Sequence, residues 1–465
     1  MLFNSYEFIF AFLPLVVGLY YVLPPRARVV MLTLASYLFY GWWDARFCLL
    51  MLVSTVIDYV AGARIVGAGT PRANKAWMIL SVVSNLSLLG FFKYFDLLAG
   101  TLNSGLSALF PSLAWRAPVL DLVLPVGISF YTFQSMSYSI DIYRGDAKPA
   151  RSFMDFACYV SLFPQLVAGP IIRYRSLADQ LVERVHSLDK FALGLALFVC
   201  GLAKKVLLAD SVALLTPLAF GSAAPDFWSA WLGVLGYTMQ IYFDFSGYSD
   251  MAVGLGLLLG FSFPQNFHSP YKAVSITDFW RRWHISLSTW LRDYLYIPLG
   301  GNRRSSARTY FNLWVTMLLG GLWHGANWTF LIWGAYHGAL LALERKCEWG
   351  RVHSFQPARQ ALTFVLVMVG WVFFRAADVS EAGGVLRGLC GLNGWGALGT
   401  VGAQAGGVAL SGLAVAMLVA FTSPNTWQIR WRFSLWQLAG LIVLFAVALG
   451  AILVNTSSPF LYFQF

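Results

Sequence analysis

The chain has 465 residues, of which 58% are hydrophobic and only 11% are charged. Because a soluble domain has about a quarter of its residues charged, this composition excludes a soluble globular class and indicates a polytopic membrane protein. The net charge of +11 lies in short loops between apolar segments, for example at Arg26 and Arg28 and at Arg430 and Arg432, and this distribution argues against nucleic-acid binding.

Apolar windows that approach the roughly 20 residues needed to cross a bilayer recur along the whole chain. They are residues 7–23, 29–43, 47–62, 77–92, 122–142, 153–172, 191–208, 227–245, 312–343, 361–374, 406–421 and 435–454. The window 312–343 is too long for one crossing, and Gly and Pro interrupt several others. The sequence therefore predicts an all-α fold in which some segments are tilted, re-entrant or half-length.

The loop charges also predict a topology. If Arg26 and Arg28, and likewise Arg430 and Arg432, are cytoplasmic, both termini lie outside and the number of crossings is even, roughly twelve. The first window has no basic n-region and no small-residue cleavage site, so we expect it to stay in the mature protein.

The chain shows no break in organisation. No linker separates folded units, so we predict one membrane domain over residues 1–465. The absence of an internal repeat weakly disfavours inverted-repeat transporters. The five cysteines are scattered and lack ligand spacing, so we predict neither a disulfide framework nor a metal site.

Two carboxylates, Asp244 and Asp250, lie six residues apart in a membrane context. A turn or a helix cap accounts for Asp250 well, and for Asp244 less well. We therefore take Asp244 as a candidate substrate-binding residue.

The interval 266–308 combines charged and aromatic residues. Ser275 and Asp278 have capping-box spacing, which predicts a helix that begins at Ser275 and runs for about 20 residues. Its apolar stripe is Ile276, Trp280, Trp283, Leu287, Leu291 and Tyr294, and its polar stripe is Thr277, Arg281, His284, Ser288 and Arg292. Such a helix either lies on the lipid headgroups or lines a cavity where Arg281, His284 and Arg292 meet an anionic ligand. Periodicity does not choose between these two interpretations.

His324 lies in a run, residues 310–343, that holds no charged residue but also contains Asn327 and His337. An ionisable group at bilayer depth costs several kcal/mol unless it faces a partner or a wet cavity, which makes His324 a candidate functional residue. The alternative is a histidine that packs between helices. On one straight helix, His324 and His337 would lie about 20 Å apart and could not act on the same atom unless the helix breaks between them.

These features together resemble the membrane-bound O-acyltransferase family, in its bacterial branch that acetylates exopolysaccharides. The stretches that carry the resemblance are residues 1–5, 124–130, 168–170, 242–256, 278–302, 318–338 and 458–465. They extend over nearly the whole chain. The region 383–432 looks shorter than in alginate-modifying members, so a cellulose-type acceptor stays open beside an alginate-type one.

The resemblance implies an inner-membrane enzyme with re-entrant and interfacial helices around a central funnel. It would move acetyl groups from a cytoplasmic thioester, with acetyl-CoA as donor, to an exported polysaccharide. A periplasmic SGNH-type acetyltransferase and the export machinery would be its partners. The remaining alternative is a transporter or flippase whose buried histidines bind protons.

The resemblance also implies that His324 is the essential histidine and that His284 is its companion. An imidazole suits the deprotonation of an acceptor hydroxyl. Asn327 could orient that ring or stabilise an oxyanion, Trp323 and Trp328 would exclude water, and Arg281 and Arg292 would hold the donor phosphates. The chain has no Gly-x-Ser-x-Gly elbow, so a serine nucleophile receives no support.

The C-terminal tail, residues 457–465, ends the chain after an apolar segment. Its aromatic residues are typical of an anchor at the membrane interface. The D-alanyl-transferring branch of the family has a similar aromatic motif with a tyrosine on a separate subunit. This resemblance raises the hypothesis that Tyr462 accepts the acetyl group and passes it on.

Overall fold

The computed structural model describes residues 1–67, 69–113, 115–349, 355–454 and 460–461. Helices make up 75% of the structure, and the described residues contain no strand. The predicted all-α class is therefore confirmed. The chain divides into two compact units, Met1–Phe191 with Gly256–Phe263, and Ala192–Leu255 with Pro264–Phe465.

The first unit is built around a buried polar helix. Its elements are a π-helical turn over Glu7–Phe12, α1 (Leu13–Val22), α2 (Pro25–Gly41), α3 (Arg46–Gly67), α4 (Pro71–Leu109), α5 (Ile128–Arg144), α6 (Phe153–Ser161), α7 (Phe163–Leu166) and α8 (Tyr174–Val182). Nearly all of α5 is buried although it carries many hydroxyl and amide side chains. The buried Asp58 of α3 accepts hydrogen bonds from the Ser81 hydroxyl at 2.6 Å and the Asn85 amide at 2.8 Å. These bonds offset the cost of burying a carboxylate.

The second unit contains the candidate site residues. Its elements are the greater part of α9 (Leu188–Ala203) and α12 (Phe227–Leu258), a π-helical segment over Lys204–Ala209, α10 (Asp210–Ala213), α11 (Thr216–Ala219), α13 (Ile276–Arg282), α14 (Ile285–Leu291), a π-helical turn over Arg292–Tyr296, α15 (Ser306–His324), α16 (Trp328–Lys346), α17 (Gln356–Arg375), α18 (Val379–Leu389), α19 (Leu398–Ala405), α20 (Gly407–Thr422) and α21 (Leu435–Val454).

Several helices begin where the sequence places a capping residue. The hydroxyl of Ser275 accepts the Asp278 N–H at 3.1 Å, and Ser305 caps α15 in the same way at 3.3 Å. Such caps satisfy N–H groups that have no partner within the helix. The predicted helix start at Ser275 is confirmed.

The prediction of one continuous helix of about 20 residues after Ser275 is wrong, because the structure has two short helices there. The first, α13, ends at Arg282, and His284 adopts a left-handed backbone with φ of 41° before α14 begins. Asn266 is the cause. Its carbonyl accepts the Ile285 N–H at 2.9 Å, and its side-chain oxygen accepts the Ser286 N–H at 3.1 Å, so neither N–H is available to continue α13.

The long uncharged window 312–343 is a helical hairpin. A Cβ on Gly321 would overlap the Phe330 carbonyl and one on Gly334 would overlap the Met317 carbonyl, while one on Gly338 would lie 2.8 Å from Trp314 Cα. The paired residue numbers run in opposite directions, so α15 and α16 are antiparallel and their backbones touch. Glycine permits this close approach.

Five helical segments of the described residues are long and apolar enough to cross a membrane. They are Arg46–Gly67, Pro71–Leu109, Leu188–Ala219, Gln356–Arg375 and Leu435–Val454. The pair α19 and α20, bent by 94°, would make a sixth as one broken span. These segments support a multi-pass membrane protein, but they do not confirm the predicted count of roughly twelve crossings.

Candidate active site

His324 is the last residue of α15 and lies at the tip of the α15–α16 hairpin. Its side chain is buried, with 5% of the residue exposed. Its ring lies 5.1 Å from the ring of Trp333 on α16 and 5.1 Å from that of Phe374 on α17. Aromatic side chains from these two helices therefore hold the imidazole in a site with little access to water.

Asn327 begins the second helix of the hairpin. Its side-chain oxygen accepts the Thr329 N–H at 3.1 Å, and its amide group donates to the Ala377 carbonyl at 2.7 Å. The structure thus gives both ends of this side chain a role in capping α16 and joining it to the segment after α17. The predicted contact with the His324 ring or with an oxyanion stays a prediction.

His284 is fully buried at the junction of α13 and α14. Its Nδ1 lies 3.2 Å from the Asn266 side-chain oxygen, which also accepts from the Ser286 N–H and hydroxyl. Because that oxygen only accepts, Nδ1 of His284 carries the proton and Nε2 is the basic nitrogen of the neutral ring. Asn266 thereby fixes the tautomer of His284.

Trp323 joins the two predicted histidines. Its ring centroid lies 5.0 Å from that of His324 and 6.1 Å from that of His284. Trp323 is buried, as its proposed exclusion of water requires, whereas Trp328 is 51% exposed. The structure therefore brings His284, Trp323 and His324 together and leaves Trp328 outside this cluster.

His337 is closer to this cluster than a straight helix would allow. The chain turns back after His324, so the ring of Trp333 lies 5.1 Å from His324 on one side and 5.0 Å from His337 on the other. The helix breaks between the two histidines, so the separation of about 20 Å that one straight helix would impose does not apply.

The two arginines of the predicted polar stripe differ from His284 in their exposure to solvent. Arg281 and Arg292 are exposed, whereas His284 is buried, because the helix breaks between them. Arg292 pairs with Asp293 at 2.6 Å, and its side chain is 58% exposed. Much of the arginine side chain is therefore accessible to solvent. The hydrogen bond to the Asp293 carboxylate raises the pKa of Arg292. Donor binding by these arginines stays a prediction.

Asp244 lies in a buried ion pair. It is 1% exposed, and its Oδ1 lies 2.7 Å from Nζ of Lys205, which also contacts Asp210 at 2.8 Å. The adjacent Lys204 pairs with Asp250 at 2.6 Å. Asp250 lies within α12, so a turn or a helix cap does not account for it. Sequence reasoning missed both lysines, although two cations in an apolar segment are a signal that carboxylates lie nearby.

The described part of the C-terminal tail is buried in the second unit. The Leu461 N–H donates to Oδ2 of Asp244 at 2.9 Å. The ring of Phe460 stacks on Tyr248 at 4.5 Å and lies 5.9 Å from Phe245, whose own ring is 4.8 Å from His284. Neither residue is exposed as an interfacial anchor would be. Tyr462 lies outside the described residues.

Comparison with known proteins identifies the family. The family model for the membrane-bound O-acyltransferase family matches residues 147–374. A probable alginate O-acetylase AlgI of Azotobacter vinelandii is 52% identical over 82% of this chain and 76% of its own length. The AlgI protein of Pseudomonas putida is 43% identical over 100% of both chains.

More distant relatives extend the range of acceptors. The peptidoglycan O-acetyltransferase of Helicobacter pylori is 40% identical over 85% of this chain and 80% of its own length. The names of these relatives support acyl transfer, and they give no support to cellulose as acceptor. The protein is an acyltransferase that belongs to the membrane-bound O-acyltransferase family.

Proposed function

We propose that this enzyme transfers acetyl groups from acetyl-CoA on the cytoplasmic side to an exported polysaccharide of alginate type, with His324 as the base. The observation that carries the proposal is the convergence of His324 and His284 on the buried ring of Trp323. The names of the relatives support the acetyl group and the polysaccharide acceptor. The enzyme would reside in the bacterial inner membrane with both termini in the periplasm.

The chemistry follows from an imidazole in a dry site. His324 accepts the proton of the acceptor hydroxyl as its oxygen attacks the thioester carbonyl carbon. The C–S bond breaks, the imidazolium returns the proton to the thiolate, and an ester and a free thiol result. His284 would hold a reacting group by a hydrogen bond to its Nε2. Arg281 and Arg292 would contact the phosphates of the donor at the protein surface.

Tyr462 is our proposed first acceptor. The burial of Phe460 and Leu461 beside Phe245 and Asp244 supports a tail that enters the second unit. A phenol with a pKa of about 10 is a better leaving group than a sugar alkoxide, so an acetyl-tyrosine would keep enough transfer potential for a second step. A periplasmic SGNH-type acetyltransferase would complete delivery to the polysaccharide.

The proposed base is tested by His324→Ala in proteoliposomes supplied with labelled acetyl-CoA. We expect acetyl transfer to be lost while membrane insertion and purification stay normal. We expect His337→Ala to be milder, because the ring of Trp333 lies between His337 and His324. His268→Ala is a matched control, because His268 is only partly buried and bonds Gln265. Substantial transfer by the His324 variant would assign that histidine to packing. Label that crosses the membrane without forming an ester would contradict the proposed transfer from acetyl-CoA.

The proposed carrier is tested by Tyr462→Phe, which keeps the ring and removes the nucleophile. We expect this variant to lose transfer to the polysaccharide, and we expect mass spectrometry of the wild-type enzyme to detect acetyl on Tyr462. Full acetylation by the variant, with no acetyl-tyrosine in the wild-type protein, would contradict the carrier role and leave the role of His324 intact.

A further inference from the structure

A cavity of about 610 Å³ lies within the second unit, between the spanning segment Leu188–Ala219, helix α20 and Leu444 of α21. Its lining on α20 extends from Val408 to Ala420, which corresponds to about 18 Å along the helix axis. The cavity is therefore a groove that follows most of one helix, and we call it the α20 groove. The candidate histidines do not line it.

The α20 groove is mostly apolar along its length, since the hydroxyls of Ser211 and Ser411 in its lining donate to carbonyls of their own helical segments, and it is most polar at one end. Its apolar lining residues include Leu207, Leu208, Val408, Val415, Val419 and Leu444. The polar end, beyond the C-terminus of α20, consists of Lys204, Ser423, Asn425 and Thr426. This polarity matches a ligand with a long apolar chain and a polar head.

The charge at the polar end favours an anionic head. The segment that continues from Thr426 carries Arg430 and Arg432, both at least partly exposed, and residues 421–434 contain no Asp or Glu. The ammonium group of Lys204 is largely offset by Asp250 at 2.6 Å. The two arginines therefore add positive charge at this end, beside Lys272, whose ammonium group donates to the Ser423 carbonyl at 2.7 Å. Basic residues at a membrane surface attract anionic lipids.

The surroundings of the groove place it at the depth of lipid chains. Only 11% of the apolar window of α21 is buried, so most of that helix faces outwards, as a lipid-exposed helix does. Val415 of the groove lining is itself 48% exposed, which indicates that the groove opens to the side.

We propose that the α20 groove binds one acyl chain of an anionic phospholipid, whose phosphate lies at Arg430 and Arg432. The candidate histidines do not line this site, so a finding that no lipid binds there would leave the proposed acyl transfer unaffected. It would fix α20 and α21 against the segment that contains Lys204 and Lys205.

The test uses the full-length protein in vesicles of phosphatidylcholine with phosphatidylglycerol, followed by purification and mass spectrometry of the retained lipid. We expect the wild-type protein to retain phosphatidylglycerol preferentially. Val415→Trp should fill the groove and lose the bound lipid. Ile442→Trp, at an outward position of α21 that is 69% exposed and not in the groove lining, is the matched control.

A double variant that leaves the groove intact keeps the proposal testable if Val415→Trp does not fold. Arg430→Gln with Arg432→Gln should reduce the preference for phosphatidylglycerol over phosphatidylcholine roughly tenfold or more. Equal retention of both lipids by the wild-type protein would overturn the anionic site. Undiminished retention of phosphatidylglycerol by a folded Val415→Trp protein would overturn the groove as its location.

Discussion

His284 occupies a backbone conformation that few residues other than glycine adopt. Its φ of 41° costs about 1–3 kcal/mol, and it persists because Asn266 holds both the ring and the two following N–H groups. The same amide therefore sets the chain path and the tautomer of the imidazole. Strain concentrated at a polar residue that is fully buried is typical of a functional site.

Asn266→Ala should therefore impair activity more than stability. Loss of the acceptor for His284 and Ser286 should cost about 1–3 kcal/mol in the free energy of unfolding and should lower kcat, because the imidazole loses its orientation. Steady-state acetyl transfer and thermal unfolding measure the two effects. Ser286→Ala removes only the hydroxyl bond and is the matched control. If both variants lose activity equally, Asn266 does not position His284.

At the scale of the element, the α15–α16 hairpin determines where His324 lies. The two helices meet through glycines, and the chain reverses immediately after the histidine. This geometry explains how a long uncharged window can hold two histidines that contact one tryptophan. Trp333 lies between them because α16 runs back along α15.

Gly321→Ala should separate the two helices of the hairpin. Its Cβ would overlap the Phe330 carbonyl, which is backbone and cannot rotate away, so we expect a loss of about 1–3 kcal/mol in stability together with lower activity. Gly440→Ala is the control, because a Cβ there meets nothing within 4 Å and alanine favours a helix. Thermal unfolding in detergent compares the two. Equal stability of both variants would contradict the close packing of α15 on α16.

The sequence correctly predicted those features of the helices that depend on residues close together in the chain. The capping residue Ser275 and the excessive length of the window 312–343 are local properties, and both correctly indicated structure. The break at His284 was not predictable from periodicity, since Asn266 causes it from eighteen residues earlier. Similarly, Asp244 could be singled out from the sequence, but its partner Lys205 is distant along the chain.

At the scale of the whole molecule, the chain has few charged residues, and several of their side chains are buried. Asp58 is hydrogen-bonded in the first unit, and Lys204 and Lys205 pair with Asp250 and Asp244 in the second. Charges cost free energy at membrane depth unless they are paired, so these groups constrain how each unit assembles. The Lys205–Asp244 pair has a further role, because Asp244 also accepts the Leu461 N–H.

Lys205→Met should destabilise the enzyme by about 3–5 kcal/mol, because it leaves Asp244 buried without its counter-charge. Adding Asp244→Asn to this variant should restore much of the stability and keep an oxygen for the tail. Lys205→Met with Asp244→Leu should also restore stability but remove that acceptor, so acetyl transfer should fall. Unfolding and transfer assays on both double variants separate the two effects. Equal activity of the two would show that tail docking on Asp244 is dispensable.

The burial of Phe460 and Leu461 has a kinetic consequence. Because Phe460 and Leu461 belong to the same chain as Phe245 and Asp244, their encounter with those residues is intramolecular. Intramolecular encounters over short linkers have effective concentrations of about millimolar order. Dilution of the enzyme in the membrane would not slow such an encounter. A free peptide with the sequence of the tail would have to be supplied at comparable concentration to displace Phe460 and Leu461 from these contacts. A protein that carries this segment on a separate subunit would instead depend on how much of that subunit the cell makes.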